Sequence, residues 1–325
     1  MEYTRLGRSG LEISAVVVGC MSFGDPARGS HSWTLPLEES RKIIARALEL
    51  GVTTFDTANV YSDGSSEEIL GHVLGELVHR RDVVIATKVQ GRMRPGPNGA
   101  GLSRVSILHE IDESLRRLRT DYVDLYQIHR FDPDVPIEET MEALHDVVKA
   151  GKARYIGASS MFAWQFAQMQ HAAELNGWTP FISMQDQYNL ISREEEREMH
   201  PFCLDQGIGV LPWSPLARGK LVRAWDASTA RSASDEFGKT LYHQAEESDH
   251  RVVDAVAHLA RARNVSRAQV ALAWVAQQDA VTAPIVGATR PQHLEDAVAA
   301  VQLLLTEEEV ALLQQHYVPH ALEGF

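Results

Sequence analysis

Asp56, Tyr61, Lys88 and His129 are four residues whose types could move a proton onto a carbonyl oxygen, and each stands at or just beyond the end of an apolar run. Hydride reduction of a carbonyl builds negative charge on the oxygen, so a neutral acid must deliver a proton as the hydride arrives. Tyr61 suits that role. Its phenol has an ordinary pKa of about 10, and a close ammonium such as Lys88 would stabilise the phenolate and bring the group nearer the working range. Asp56 would keep Lys88 charged and oriented, and His129 can donate a hydrogen bond to the oxygen on which charge develops. Taken singly, each residue also has a plain structural explanation as a cap, a turn tyrosine or a solvated strand end. Their joint placement points to chemistry.

The elements that must position them are short strands. Thr53-Thr54-Phe55 precedes Asp56, Val83 to Thr87 precedes Lys88, and Val123 to Ile128 precedes His129, with Tyr61 in the loop after the first run. Strands are predicted near 16–20, 53–57, 83–88, 123–129, 153–158, 181–186, 208–213 and 282–286, and helices near 38–50, 65–78, 103–118, 137–150, 162–176, 194–206, 250–263 and 291–300. Such alternation is the pattern of βα units around a parallel sheet. In the third helix Ile107, Ile111, Leu115 and Leu118 share one face, while Glu110, Glu113, Arg116 and Arg117 fall elsewhere. Residues 5–13 read as a hairpin that could close the barrel bottom, and a ninth helix is expected after Thr306.

The predicted fold class is therefore α/β, a (β/α)8 TIM barrel with an N-terminal β-hairpin and an extra C-terminal helix, as one domain over 1–325. In that architecture the C-terminal strand ends converge on one pocket, which lets distant residues share a substrate. Segments 21–37, 90–102 and 214–249 are long connections, and the last, rich in Ser, Asp and Glu, reads as a flap over the site.

Composition excludes several classes. The chain has 325 residues, 44% hydrophobic and 23% charged, as expected of a globular protein. A formal net charge of −13 argues against nucleic-acid binding, which needs concentrated Lys and Arg. The start lacks a secretory pattern and no apolar run is long enough for a membrane span, so no membrane partner and a cytoplasmic address are expected. Cys20 and Cys203 make no disulfide framework, and Cys20 reads as a small buried apolar residue. His316 and His320 have metal-like spacing, but Pro319 breaks the helix between them and no metal is expected. The run Glu194 to Glu198 reads as a solvated helix start favoured by the helix dipole.

The words around the four residues match a family. Gly51-Val52-Thr53-Thr54-Phe55-Asp56-Thr57-Ala58-Asn59-Val60-Tyr61, then Gly64-Ser65-Ser66-Glu67 and Gly71, resembles the first signature of the aldo-keto reductases. Ala86-Thr87-Lys88, Asp121 to His129, Gly151 to Gly157 and Pro212-Trp213-Ser214-Pro215-Leu216 follow in family order. Trp33-Thr34-Leu35-Pro36, Gly157 to Met161, Tyr188-Asn189-Leu190-Ile191 and Arg193 to Met199 are similar to a narrower bacterial and fungal branch. The resemblance implies NADPH-dependent reduction of a small-molecule carbonyl without metal. It leaves open a homo-oligomer, an NADPH-binding redox-sensing regulatory subunit, and a cofactor-assisted sugar-phosphate conversion.

No Gly-x-Gly-x-x-Gly follows the first strand, so the cofactor is not expected in a Rossmann site. By resemblance, Ser159, Ser160 and Gln185 meet the nicotinamide carboxamide and Trp213 lies against the ring, with Gly19, Met21 and Asp56 completing that end. Ser214, Leu216, Arg218 and Lys220 belong to the loop over the pyrophosphate. Gly287, Thr289, Arg290, His293 and Asp296 open a helix whose free amides could bind phosphate, with Arg290 as a planar two-pronged donor to NADP. Relatives often have Asn in place of Ser160, Arg in place of His293 and Asn in place of Ala297. Trp33, Asn59, Arg130, Phe131 and Trp164 are expected to ring the substrate mouth with Tyr61 and His129. Arg130 could meet a substrate phosphate or carboxylate, or pair with Asp132 or Asp134.

Overall fold

Valine, isoleucine and threonine crowd the short runs that become strands, and β-branched side chains suit a sheet buried on both faces. The structure is a computed structural model and describes residues 1–29, 31–225, 227, 238, 240–242 and 244–322. An antiparallel hairpin, β1 (Tyr3–Arg5) and β2 (Glu12–Ser14), comes first. Among the described residues eight parallel strands follow: β3 (Val17–Gly19), β4 (Thr54–Asp56), β5 (Val84–Val89), β6 (Val123–Ile128), β7 (Ala153–Ser159), β8 (Phe181–Gln185), β9 (Gly209–Val210) and β10 (Ile285–Gly287). Their order is β10-β3-β4-β5-β6-β7-β8-β9. The two edges then meet. Thr282 N donates to Val210 O at 2.9 Å and Ile285 N to Pro212 O at 2.9 Å, which closes the sheet into the expected barrel.

The hairpin seals the end opposite the strand C-termini. Leu6 and Ile13 are buried with Val17, Ala86, Leu125, Leu211, Ala283 and Ile285, and Arg8 N donates to Gly207 O at 2.7 Å. Outside the barrel lie α1 (Leu37–Glu49), α2 (Ser65–Leu77), α3 (Arg104–Leu118), α4 (Ile137–Lys149), α5 (Ala163–Asn176) and α6 (Met199–Gln206). They are followed by α7 (Glu246–Arg263), α8 (Arg267–Ala276), α9 (Pro291–Ala300) and α10 (Glu307–Gln314). The helix expected after Thr306 is α10, started by a capping box between Thr306 and Glu309.

Three expectations need correction. Helix α8 holds the ring position beside α9, while the predicted barrel helix at 250–263, now α7, packs against α8 and α10. Residues Val270 to Val275 are all buried, so α8 lacks the one-sided polar pattern by which a sequence reading finds a helix. The strand predicted over 208–213 is regular only at Gly209–Val210. The helix predicted over 194–206 is a 3-10 turn, Glu194–Glu196, followed by α6, and Glu194 and Glu195 are buried rather than solvated. Glu110 and Arg117, off the apolar face of α3, are also buried, and Arg117 Nε donates to Glu67 Oε2 at 2.6 Å across to α2.

Residues 226, 228–237, 239 and 243 of the predicted flap lie outside the described residues. Among the described residues, no helix is long and apolar enough to cross a membrane.

Candidate active site

Side chains alternate along a strand, so polar residues near the ends of β4 to β8 can face the barrel axis. Register places these residues side by side: Gly19 beside Asp56, Lys88 beside Gln127, and Ser159 beside Gln185. Lys88 is wholly buried at the centre. Its ammonium donates to Asp56 Oδ1, to Thr57 O at 2.9 Å and to Tyr61 Oη at 3.4 Å, which matches its three N–H groups. Asp56 Oδ2 accepts from Gln127 Nε2 and from Gln185 Nε2, both at 2.9 Å. Gln185 Nε2 also donates to Gln127 Oε1 at 3.2 Å. His129, just past β6, is anchored by its N–H to Val89 O at 2.9 Å and meets the Tyr61 ring edge-on, 5.7 Å between centres.

Gln127 escaped the sequence reading. Its signal was an amide between Tyr126 and Ile128 at an inward position of the strand, a group that must find partners when buried.

Burial acts on Lys88, His129 and Tyr61. It pulls the Lys88 ammonium down, but Asp56 and Tyr61 outweigh it and the pKa ends raised. Burial, with the charges of Lys88 and Arg130, holds His129 well below the ordinary histidine range, so its imidazole is neutral. For Tyr61 burial exceeds the opposing pull of Lys88 and raises the phenol above its ordinary value. The expected acidic phenol is therefore corrected: the anion loses more hydration than one ammonium at this distance returns.

Ser159 and Ser160 are buried, with their hydroxyls 3.2 Å apart. Ser160 has φ 48°, and its Oγ accepts from Trp213 Nε1 at 3.0 Å. The Arg130 guanidinium lies 5.8 Å from the Trp213 ring centre. After Trp213 the chain turns left-handed at Ser214, Ala217, Arg218 and Gly219, around Leu216, and Lys220 Nζ reaches 4.2 Å from the Trp225 ring centre. At the far end Gly287 leads to the start of α9, Thr289 N bonds His293 Nδ1 at 3.3 Å, and Arg290 is exposed, while Asp296 and Met21 are half-buried.

Around the mouth, Phe131 and Trp164 pack edge to face at 6.4 Å, and Trp33 lies 4.9 Å from His31. Asn59 does not join them. It is buried and its Nδ2 donates to Glu110 Oε2 at 3.0 Å.

A buried ammonium that touches both a carboxylate and a protonated phenol, beside a neutral imidazole at the C-terminal rim of a closed α/β barrel, is an arrangement that can protonate an oxygen. The sequence profile of the Aldo/keto reductase family matches residues 15–318. The versiconal hemiacetal acetate reductase of Aspergillus parasiticus is 47% identical over 342 residues, spanning 99% of this chain and 98% of that protein. A putative aryl-alcohol dehydrogenase of Schizosaccharomyces pombe is 42% identical, over 99% of this chain and 97% of its own. Another from Saccharomyces cerevisiae is 41% identical, over 98% of each. The chain belongs to the aldo/keto reductase family and is an oxidoreductase.

Proposed function

We propose that this chain reduces aldehydes and ketones with NADPH as a single catalytic unit, and that Tyr61 delivers the proton. The observation that carries the reading is the Lys88 ammonium in contact with both Asp56 and Tyr61, with His129 edge-on to the same phenol. Bound NADPH would supply the hydride. Tyr61 is a neutral donor because burial keeps its proton on, and Lys88 offers positive charge 3.4 Å from the oxygen that becomes anionic when the proton leaves. His129, neutral and held through its backbone, can donate an N–H to the carbonyl oxygen. Asp56 stabilises Lys88, and Gln127 and Gln185 fix Asp56 in turn.

The residues present fit such a cofactor. With both Gln185 amide protons engaged on Asp56 and Gln127, its Oε1 can accept from a carboxamide. The bond from Trp213 to Ser160 holds the indole in one orientation, so Ser160 serves the ring through Trp213. Left-handed residues at Ser214, Ala217, Arg218 and Gly219 turn this loop tightly, with the amides of Ala217 and Gly219 donating to Ser214 O and Leu216 O, so a pyrophosphate would be met by the charges of Arg218 and Lys220. A Cβ built on Gly287 would meet nothing within 4 Å, which leaves room before the start of α9, where Pro291 has no N–H and His293 N donates to Arg290 O at 3.0 Å. Arg290 would then face the phosphate that distinguishes NADP from NAD.

Relatives carrying the name aryl-alcohol dehydrogenase make aromatic aldehydes the first substrates to offer. Tyr61→Phe should retain NADPH binding, read by fluorescence, and lose about a hundredfold or more in kcat on an aromatic aldehyde, the scale of general acid catalysis. Unchanged kcat would remove Tyr61 from the mechanism. NADPH binding with no carbonyl turned over by the native chain would favour a regulatory role instead.

A further inference from the structure

Arg130 stands next to His129 in sequence and leans into the same pocket. Its Nη1 donates to His129 O at 2.7 Å, which folds the guanidinium back over the strand end toward Trp213. It is near enough to Tyr61 for each charge to act on the other. The two carboxylates that follow it in sequence are turned away. Asp132 accepts from Leu102 N at 2.8 Å and from Asp134 N at 3.1 Å, and Asp134 is exposed. Among the described residues no carboxylate lies within 4.0 Å of Arg130.

Other partly buried arginines of the same chain are treated differently. Arg117 meets Glu67, Arg80 meets Asp124 and Arg193 meets Glu196, each between 2.6 and 2.8 Å. A guanidinium withdrawn from water without an anion is costly, and burial shifts the Arg130 pKa down in keeping with that. The strand ends thus carry Lys88 and Arg130 against Asp56, a positive excess inside a protein whose formal charge is −13. A planar fork with free N–H pairs fits an oxyanion through two parallel hydrogen bonds.

We propose that Arg130 is the oxyanion subsite of the substrate pocket, and that the preferred substrates are carbonyl compounds bearing a carboxylate or a phosphate. This rests on the reductase reading and names its substrate class. The anion would sit on the free edge of the guanidinium and leave the carbonyl for Tyr61 and His129. Phe131 and Trp164 offer an apolar wall beside it.

The test compares charged and neutral pairs on the native chain with NADPH: the formylbenzoate isomers against their methyl esters, and glyceraldehyde 3-phosphate against glyceraldehyde. At least one charged member should exceed its neutral partner about tenfold in kcat/KM, the lower end of what a charge-assisted hydrogen bond contributes. Preference within the first pair alone assigns a carboxylate, and within the second alone a phosphate. Arg130→Met should lose at least tenfold more kcat/KM on the charged member than on the neutral one, chiefly through KM, and Arg130→Lys should recover part of the difference. Benzoate should bind the NADPH-loaded native chain more tightly than benzamide, a binding readout independent of turnover and of whether the methionine variant folds.

Equal kcat/KM within both pairs, or equal losses on charged and neutral members in Arg130→Met, would overturn the subsite. Equal binding of benzoate and benzamide would do the same. Turnover of neutral aldehydes without any preference for charge defeats this inference alone, whereas failure to reduce every carbonyl defeats the reductase reading beneath it.

Discussion

Tyr61 and Arg290 show how differently one side chain can depend on its setting. Tyr61 is half-buried beside an ammonium, and the loss of water acts on its pKa more strongly than that charge does. The proton therefore stays in place until an acceptor arrives, which is what a general acid requires. Arg290 is exposed just before α9, so its worth depends on a ligand. Replacing it by alanine should weaken NADPH by roughly 1.5 to 3 kcal/mol, about tenfold to a hundredfold in Kd, while NADH is little affected. Fluorescence titration with both cofactors measures this directly. Equal weakening of the two would move the 2′-phosphate contact to another residue.

Tyr61 is held by elements outside the barrel strands. The chain after it turns left-handed at Ser62, Asp63 and Gly64, and a Cβ on Gly64 would come within 2.7 Å of Arg117 Cδ. Gly71, one α2 turn after Glu67, brings that helix against the end of α3, where a Cβ would meet Leu118 O at 2.3 Å. Between the helices Glu67 accepts from Arg117 at 2.6 Å and from Thr87, the neighbour of Lys88, at 2.5 Å, while Glu110 holds Asn59 two residues before Tyr61. One buried cluster thus ties the Tyr61 loop to the Lys88 strand. Arg117→Met should cost about 3 to 5 kcal/mol, since it leaves a carboxylate buried without its cation. Adding Glu67→Gln should restore part of that in urea melts, and a double variant no more stable than the single would show that the ion pair is not the source.

The barrel and its four central residues were legible because they rest on local signals: strand-length apolar runs, and polar residues at their ends. The clamp was not, because Glu110 and Arg117 have the helical spacing of a solvated face and only Glu67, on another helix, brings them inside. Gln127 and α8 were hidden for a similar reason, as one is a single amide and the other is apolar on every side.

At the scale of the whole molecule, the C-terminal segment is fastened to the back of the site through buried acids. Tyr317 Oη and His320 N donate to Glu194 Oε1 at 2.6 and 3.0 Å. Next to it Glu195 is buried near Asp186, whose Oδ2 meets His200 Nε2 at 2.9 Å and whose backbone oxygen accepts from Trp213 N at 2.7 Å. Burial, then the charges of Asp186 and Glu194, push Glu195 from 4.5 up to about 9. It is therefore protonated in the folded chain at neutral pH and ionised in the unfolded one. The folded state binds the extra proton, so its stabilising share is complete below the unfolded value of 4.5 and declines as pH rises toward about 9. His200, raised by Asp186 against the effect of burial, has the same sign, so a variant must isolate Glu195. Glu195→Gln keeps the shape and removes the titration. The stability of the variant relative to the native chain should rise steadily from pH 5 to pH 9 in urea melts, while parallel curves across that range would mean that Glu195 is ionised in the folded protein and that another group neutralises it.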